Sequence, residues 1–324
     1  MNWKYKAHAL AALSRVPGGR SLYHGLQRVA GTNRLQLDRD LERAFELVDL
    51  IFEADGEIEG KQVFEIGTGW RPFVPFVMAL AGAKRVITVD VNPWLTSAYA
   101  CETWRALESR LPEIAARCRV PEQEIVQRYR SVPSTACTLE SVFVPLRIQY
   151  DCPADARDTQ LPARSMDIIL SSNVLEHIPA DVQRDIHKES FRLLKTGGLS
   201  AHRFNPQDHY STIDSKITNG NFLQFSEKQW RWYGGTGLAY HNRLRSPEYR
   251  ELFQQAGFEI TVFRERTDQR TLDAIRSGAL TVDECFSRFT PEELAVDYIW
   301  MANRKAAPLP ARSEIESSLP AFTN

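Results

Sequence analysis

Apolar residues along this chain fall into short bursts separated by longer stretches of helical spacing. VFEI at 63–66 and VITVD at 86–90 read as buried strands, with 62–66 and 85–90 as their spans. Strand patterns recur at 147–151, in the run from Arg164 that feeds a loop ending at Ile178, at 199–206, at 258–265 and in the last run, 294–305. Between them, helical spacing covers 37–54, 73–81, 98–117, 121–130, a stretch 181–198 closed by Gly197-Gly198, and 246–257. Alternation of this kind predicts an α/β fold with a doubly wound, mostly parallel sheet, whose ligands lie beyond the carboxyl ends of the strands. Two stretches interrupt it. Helices at about 94–130 delay the third strand, and 202–245 is aromatic and polar enough to read as an inserted lid. The expected organisation is a helical N-terminal extension over 1–60, a core over 61–305 and a frayed tail over 306–324.

The chemistry is densest where the first strand ends. Gly67 and Gly69 let the backbone turn and approach a ligand that any Cβ would obstruct, and the helix that follows offers unpaired N–H groups. Asp90, at the end of the second strand, is placed for a carboxylate to accept both hydroxyls of a ribose. Together these point to a nucleoside cofactor. A dinucleotide is excluded by bulk, because Trp70, Arg71 and Pro72 stand where a third glycine and an open helix N-terminus are required. Glu65 argues the same way, since a carboxylate there suits an ammonium-bearing ligand better than a diphosphate.

EIGTG followed by VDVN resembles the class I S-adenosylmethionine-dependent methyltransferases, and PADARD, DIILSSNVLEHI and LLKTGG resemble that family's later blocks in the same order. The resemblance spans Val63 to Lys305 and implies a Rossmann-like, seven-stranded sheet with an antiparallel last strand and S-adenosyl-L-methionine as cofactor. It places Glu65, Gly67 and Gly69 at the methionine part, Asp90 at the ribose, Asp155 and the Ala156 amide at the adenine edge, and Asn173, Val174 and His177 near the methyl group. Thr68 and Val91 complete the expected cofactor set.

Charge and composition narrow the acceptor. With 40 basic and 41 acidic residues the net charge is -1, so no global field favours nucleic acid. Residues 1–37 carry Lys4, Lys6, Arg15, Arg20, Arg28 and Arg34 and no acidic residue. They read either as a basic amphipathic arm for an anionic membrane face or an acidic partner, or as helices packed over the cofactor mouth. Five scattered cysteines without CxxC spacing signal neither a disulfide framework nor a zinc site, and no metal ligands are assigned. With no apolar run of ~20 residues and no signal-peptide pattern, a cytoplasmic protein is expected.

The lid holds six basic against three acidic residues among its tryptophans and tyrosines, which suits a small, saccharide-like and anionic acceptor. Deprotonating a hydroxyl needs a base. Asp208-His209 follows the fifth strand and supplies the preferred candidate, His209; His241 is an alternative, whereas His202, inside the strand, and His187, on the 181–195 helix, are expected to be structural and solvated respectively. A nucleic-acid or protein methyltransferase, or a non-catalytic cofactor-binding sensor, are the competing expectations.

Overall fold

A computed structural model of the chain describes residues 2–19, 22–23, 25, 34–235, 238 and 240–306. Arg20 and Arg28 of the basic segment, and the expected tail beyond residue 306, lie outside the described residues. Strands β1 (Gln62–Ile66), β2 (Arg85–Val89), β3 (Ile148–Asp151), β4 (Met166–Ser172), β5 (Leu194–Phe204), β6 (Phe258–Thr267) and β7 (Val296–Lys305) form one seven-stranded sheet ordered β3-β2-β1-β4-β5-β7-β6. The first five run parallel, and β7 enters antiparallel between β5 and β6. Strand order reverses between β1 and β4, which opens a crevice at their carboxyl ends.

Both faces of the sheet are covered, which explains why its strands read as nearly continuous apolar runs. On one face Val63 and Val86 pack with Phe45 and Val48 of α2 (Leu37–Glu53) and Phe76 of α3 (Phe73–Leu80). The alternating neighbours Phe64, Ile66 and Ile87 point to the other face, against α8 (Ala180–Leu193) and α10 (Ser246–Gln255). The inserted helices α4 (Ser97–Ala106), α5 (Leu111–Cys118), α6 (Glu122–Arg130) and α7 (Leu139–Phe143) extend the first layer through Trp104, Ile114 and Ile125.

Two element boundaries differ most from the pattern reading. The helix expected over 98–117 is divided by a 3-10 turn, Leu107–Arg110, because Pro112 lacks an N–H and starts a new first turn. The helix expected to run to Gly198 stops at Leu193, where Leu194 pairs with Met166. Gly197, at φ 74°, then lies within an irregular stretch of β5 instead of closing a helix.

The segment expected to be a lid has its own small core. Tyr210, Phe222, Leu223 and Trp230 gather there with Trp3 and Ala7 of α1 (Trp3–Leu13), whose Trp3 ring lies 5.3 Å from Tyr210 and 5.0 Å from Tyr233. The first part of the N-terminal extension thus belongs with the lid, whereas α2 belongs with the sheet.

Candidate active site

The crevice at the strand ends is a cleft of about 790 Å³. All eleven residues expected at a cofactor border it: Glu65, Gly67, Thr68, Gly69, Asp90, Val91, Asp155, Ala156, Asn173, Val174 and His177. The β1 turn is held by backbone geometry. Gly67 has φ 85° and Gly69 φ 66°, both in the left-handed region, and the Gly67 N–H donates to the Val89 carbonyl at 2.8 Å. A Cβ on Gly67 would come within 2.4 Å of the Val174 side chain, whereas one on Gly69 would meet no atom within 4 Å and would enter the open cleft.

Asp90 ties this turn to the end of β2. Its Oδ2 accepts the Gly69 N–H at 2.9 Å and its Oδ1 the Asn92 N–H at 2.8 Å, and the Val91 amide also favours its charge, so at most about one of a carboxylate's roughly four acceptor positions is left. Glu65 is 2% exposed, and desolvation pushes its carboxyl pKa up to about 8; a hydrogen bond from Thr88 opposes the shift and the nearby Asp90 adds to it. Asp155 is held ionised by Arg157, at 2.6 Å. Beside Asp90, Val91 presents an apolar side chain that is 62% exposed.

Beyond β4 and β5 the side chains form a second, histidine-rich wall. Asn173, at φ 55°, accepts from Tyr298 Oη at 3.0 Å and from Arg203, which is buried and paired with Glu46 at 2.6 Å. His177 follows on a 3-10 turn, Leu175–His177, and its Nδ1 meets the Tyr240 carbonyl at 3.0 Å. The His209 ring lies 4.8 Å from His177 and stacks on His241 at 5.0 Å. Burial, then His241 and His177, depress the His209 pKa well below the ordinary imidazole value.

His209 does not itself border the cleft among the described residues; it reaches it through His177. Asp208 and His241, the other candidate catalytic residues, are likewise not among the described residues that border the cleft. Asp208 is buried as the cap of the turn His209–Thr212, accepting from Tyr210 N–H and Asn221 Nδ2, each at 2.8 Å. His241 Nε2 lies 3.8 Å from Asp208 Oδ1.

His202 is structural, held between the hydroxyls of Ser171 at 2.8 Å and Ser200 at 2.6 Å. His187 is not solvated: it is 1% exposed, its ring 3.9 Å from Phe253, and burial pushes its pKa down to about 3. The helical period of α8 was read as a surface, yet His187 falls on the stripe covered by α10.

The sequence singles out only part of the rim, although packing of residues 1–37 over the cofactor mouth is one of the two expectations for the segment that holds Tyr23 and Arg34. Arg39, Asp40 and Arg43 of α2 border the cleft, with Tyr23 and Arg34 before it and Trp94 after β2. The i, i+4 spacing of the two arginines placed them on one face of α2, but nothing in the pattern said that this face meets a ligand. Trp70, the residue whose bulk argued against a dinucleotide, lies 4.6 Å from Trp94.

The methyltransferase-domain family model matches residues 35–262. The chain belongs to the class I S-adenosylmethionine-dependent methyltransferases. Its antiparallel β7 completes the sheet that the resemblance implied. Among solved structures, this methyltransferase is similar to a SAM-dependent methyltransferase from Methanosarcina mazei, with 17% identity over 77% of this chain and 94% of that one and a TM-score of 0.42. One from Mesorhizobium loti has 18% identity, coverages of 76% and 92%, and a TM-score of 0.41. The Haemonchus contortus phospholethanolamine N-methyltransferase 2 has 14% identity, coverages of 93% and 61%, and a TM-score of 0.45. At these scores the neighbours carry no argument about substrate. A comparison with curated protein sequences finds no match.

The enzyme's cofactor is S-adenosyl-L-methionine, and the cleft fits it. A buried Glu65 carboxyl held largely protonated is a group whose charge a cationic ligand would restore. The open space at Gly69 admits a backbone-close ligand, Asp90 keeps acceptor capacity for a hydroxyl, and the exposed Val91 offers an apolar face to a ring.

Proposed function

We propose that the enzyme methylates a hydroxyl oxygen on a small, anionic, saccharide-like acceptor. The observation that supports this most is the make-up of the cleft beyond the cofactor residues: Arg34, Arg39 and Arg43 against the single Asp40 at one side, and His177 backed by His209 at another. The arginines favour an acceptor with phosphate or carboxylate, and the Trp70–Trp94 pair offers a face for a ring. S-adenosyl-L-methionine supplies an electrophilic methyl on a sulfonium. The protein's own contribution is to exclude water and align the acceptor oxygen with that methyl, an arrangement in which positioning can account for ~7–11 kcal/mol of a barrier. Glu65, Asp90 and the β1 turn hold the cofactor from one side, and the acceptor oxygen meets His177, with His209 behind it.

The test is transfer of label from methyl-labelled cofactor into a panel of phosphorylated and carboxylated hydroxyl compounds, set beside RNA and cell protein. Label as a methyl ether in a small anionic compound is the expected result. Label confined to RNA or protein, or found on nitrogen, overturns the proposal.

A further inference from the structure

Glu176 has no place in the cofactor cleft. Its side chain is 1% exposed, and neither carboxylate oxygen has a hydrogen-bond partner of ordinary geometry among the described residues, although His177, the backbone amides of Glu176 and Asn205, and Arg203 favour its charge. A buried carboxylate whose oxygens accept no ordinary hydrogen bond is destabilising unless a cation or proton meets it directly.

Two imidazoles face the same point. One ligand atom from each of Glu176, His177 and His209 lies within 4.8 Å of the others. In both rings the second nitrogen is already engaged by backbone: His177 Nδ1 by the Tyr240 carbonyl at 3.0 Å, and the His209 ring by the Asn205 carbonyl. That leaves the His177 Nε2 lone pair available, and His209 Nε2 is buried with no hydrogen-bond partner. Such outer carbonyls fix the tautomer of metal-binding histidines. The fold itself brings the three together, since Glu176 and His177 follow β4 and His209 follows its parallel neighbour β5.

We propose that Glu176, His177 and His209 bind a divalent transition-metal cation at the side of the cleft that His177 borders. Two imidazoles and one carboxylate suit zinc, iron(II), manganese or cobalt, and leave positions for water or an acceptor oxygen. The role assigned to the cation rests on the O-methylation reading above. A hydroxyl bound there loses its proton to water at lower cost. Its oxygen then forms the bond to the methyl carbon while the carbon–sulfur bond breaks and sulfur keeps the electron pair. His177 and His209 are ligands in this arrangement, and no histidine has to take the proton.

The test needs no acceptor and no turnover, so it stands apart from the fate of the O-methylation proposal. The full chain, stripped with a chelator, is titrated with Co²⁺ and followed by visible absorption, with circular dichroism as the check on folding. Wild type should take up stoichiometric Co²⁺ and show ligand-field bands. Glu176→Gln and His209→Ala should lower Co²⁺ affinity by about tenfold or more, and S-adenosylhomocysteine binding should be retained. His177 is exposed, so His177→Gln keeps the fold and provides the decisive variant if a buried substitution unfolds the chain. Absence of stoichiometric binding by wild type, or unchanged affinity in folded His177→Gln, overturns the proposal.

Discussion

Glu65 gives the site a proton to release. Burial places its pKa at about 8, so at pH 7 roughly nine-tenths of the molecules carry it neutral before a ligand binds. If the cofactor's ammonium holds Glu65 ionised in the complex, binding at pH 7 expels about 0.9 proton. The cost of that ionisation, about 1.4 kcal/mol, makes the affinity about tenfold weaker at pH 7 than its high-pH limit. Calorimetric titration with S-adenosylhomocysteine in buffers of different ionisation enthalpy reads the proton count directly. Glu65→Gln removes the ionisable group with little change in shape, and titration of the ligand's own amine is common to both proteins and cancels in the difference. The wild-type count should exceed that of the variant by about 0.9 at pH 7 and by only about 0.1 at pH 9. Equal counts in the two proteins at pH 7 refute the reasoning.

The same proton has a consequence for folding. Between the ordinary carboxyl value and about 8, native Glu65 holds more proton than the unfolded chain, so its contribution to stability falls as pH rises, by about 1.4 kcal/mol per unit; urea denaturation at pH 5 and 8 should show a shallower slope in Glu65→Gln. His187 acts in the opposite sense. Its pKa of about 3 means the unfolded chain gains protons first as pH falls below about 6.5, so His187→Leu should gain about 2 kcal/mol at pH 5 relative to its effect at pH 8, read in the same titrations. Gly67→Ala should cost about 2–4 kcal/mol, from the left-handed φ and the close approach to Val174, and thermal denaturation should register it. Asp90→Ala removes the acceptor that fixes the Gly69 and Asn92 amides, and its S-adenosylhomocysteine affinity should weaken by about 1–3 kcal/mol.

The cofactor half of the cleft was legible in the chain because local constraints placed it. A strand ending in two glycines of positive φ and a second strand ending in Asp90 are short-range features, and parallel pairing of β1 with β2 brings their ends together whatever lies between. The opposite side of the cleft depends on long-range packing. No local pattern tells that Arg39 and Arg43 of α2 reach the cleft rim, or that Glu176 turns inward beside His209 across two strands. His187 shows how the same ambiguity misleads: a polar residue on an amphipathic helix reads as solvated until α10 is seen to cover it. His209 was singled out for its position after β5, but only the tertiary structure puts His177 between it and the cleft.

The most direct measurement is a crystal structure of the enzyme with S-adenosylhomocysteine. A ribose hydroxyl should bond Asp90, the adenine edge should meet Asp155 and the Ala156 amide, the ammonium should face Glu65, and the sulfur should point toward His177. A ligand bound elsewhere, or one whose ribose has no contact with Asp90, contradicts the assignment of this cleft.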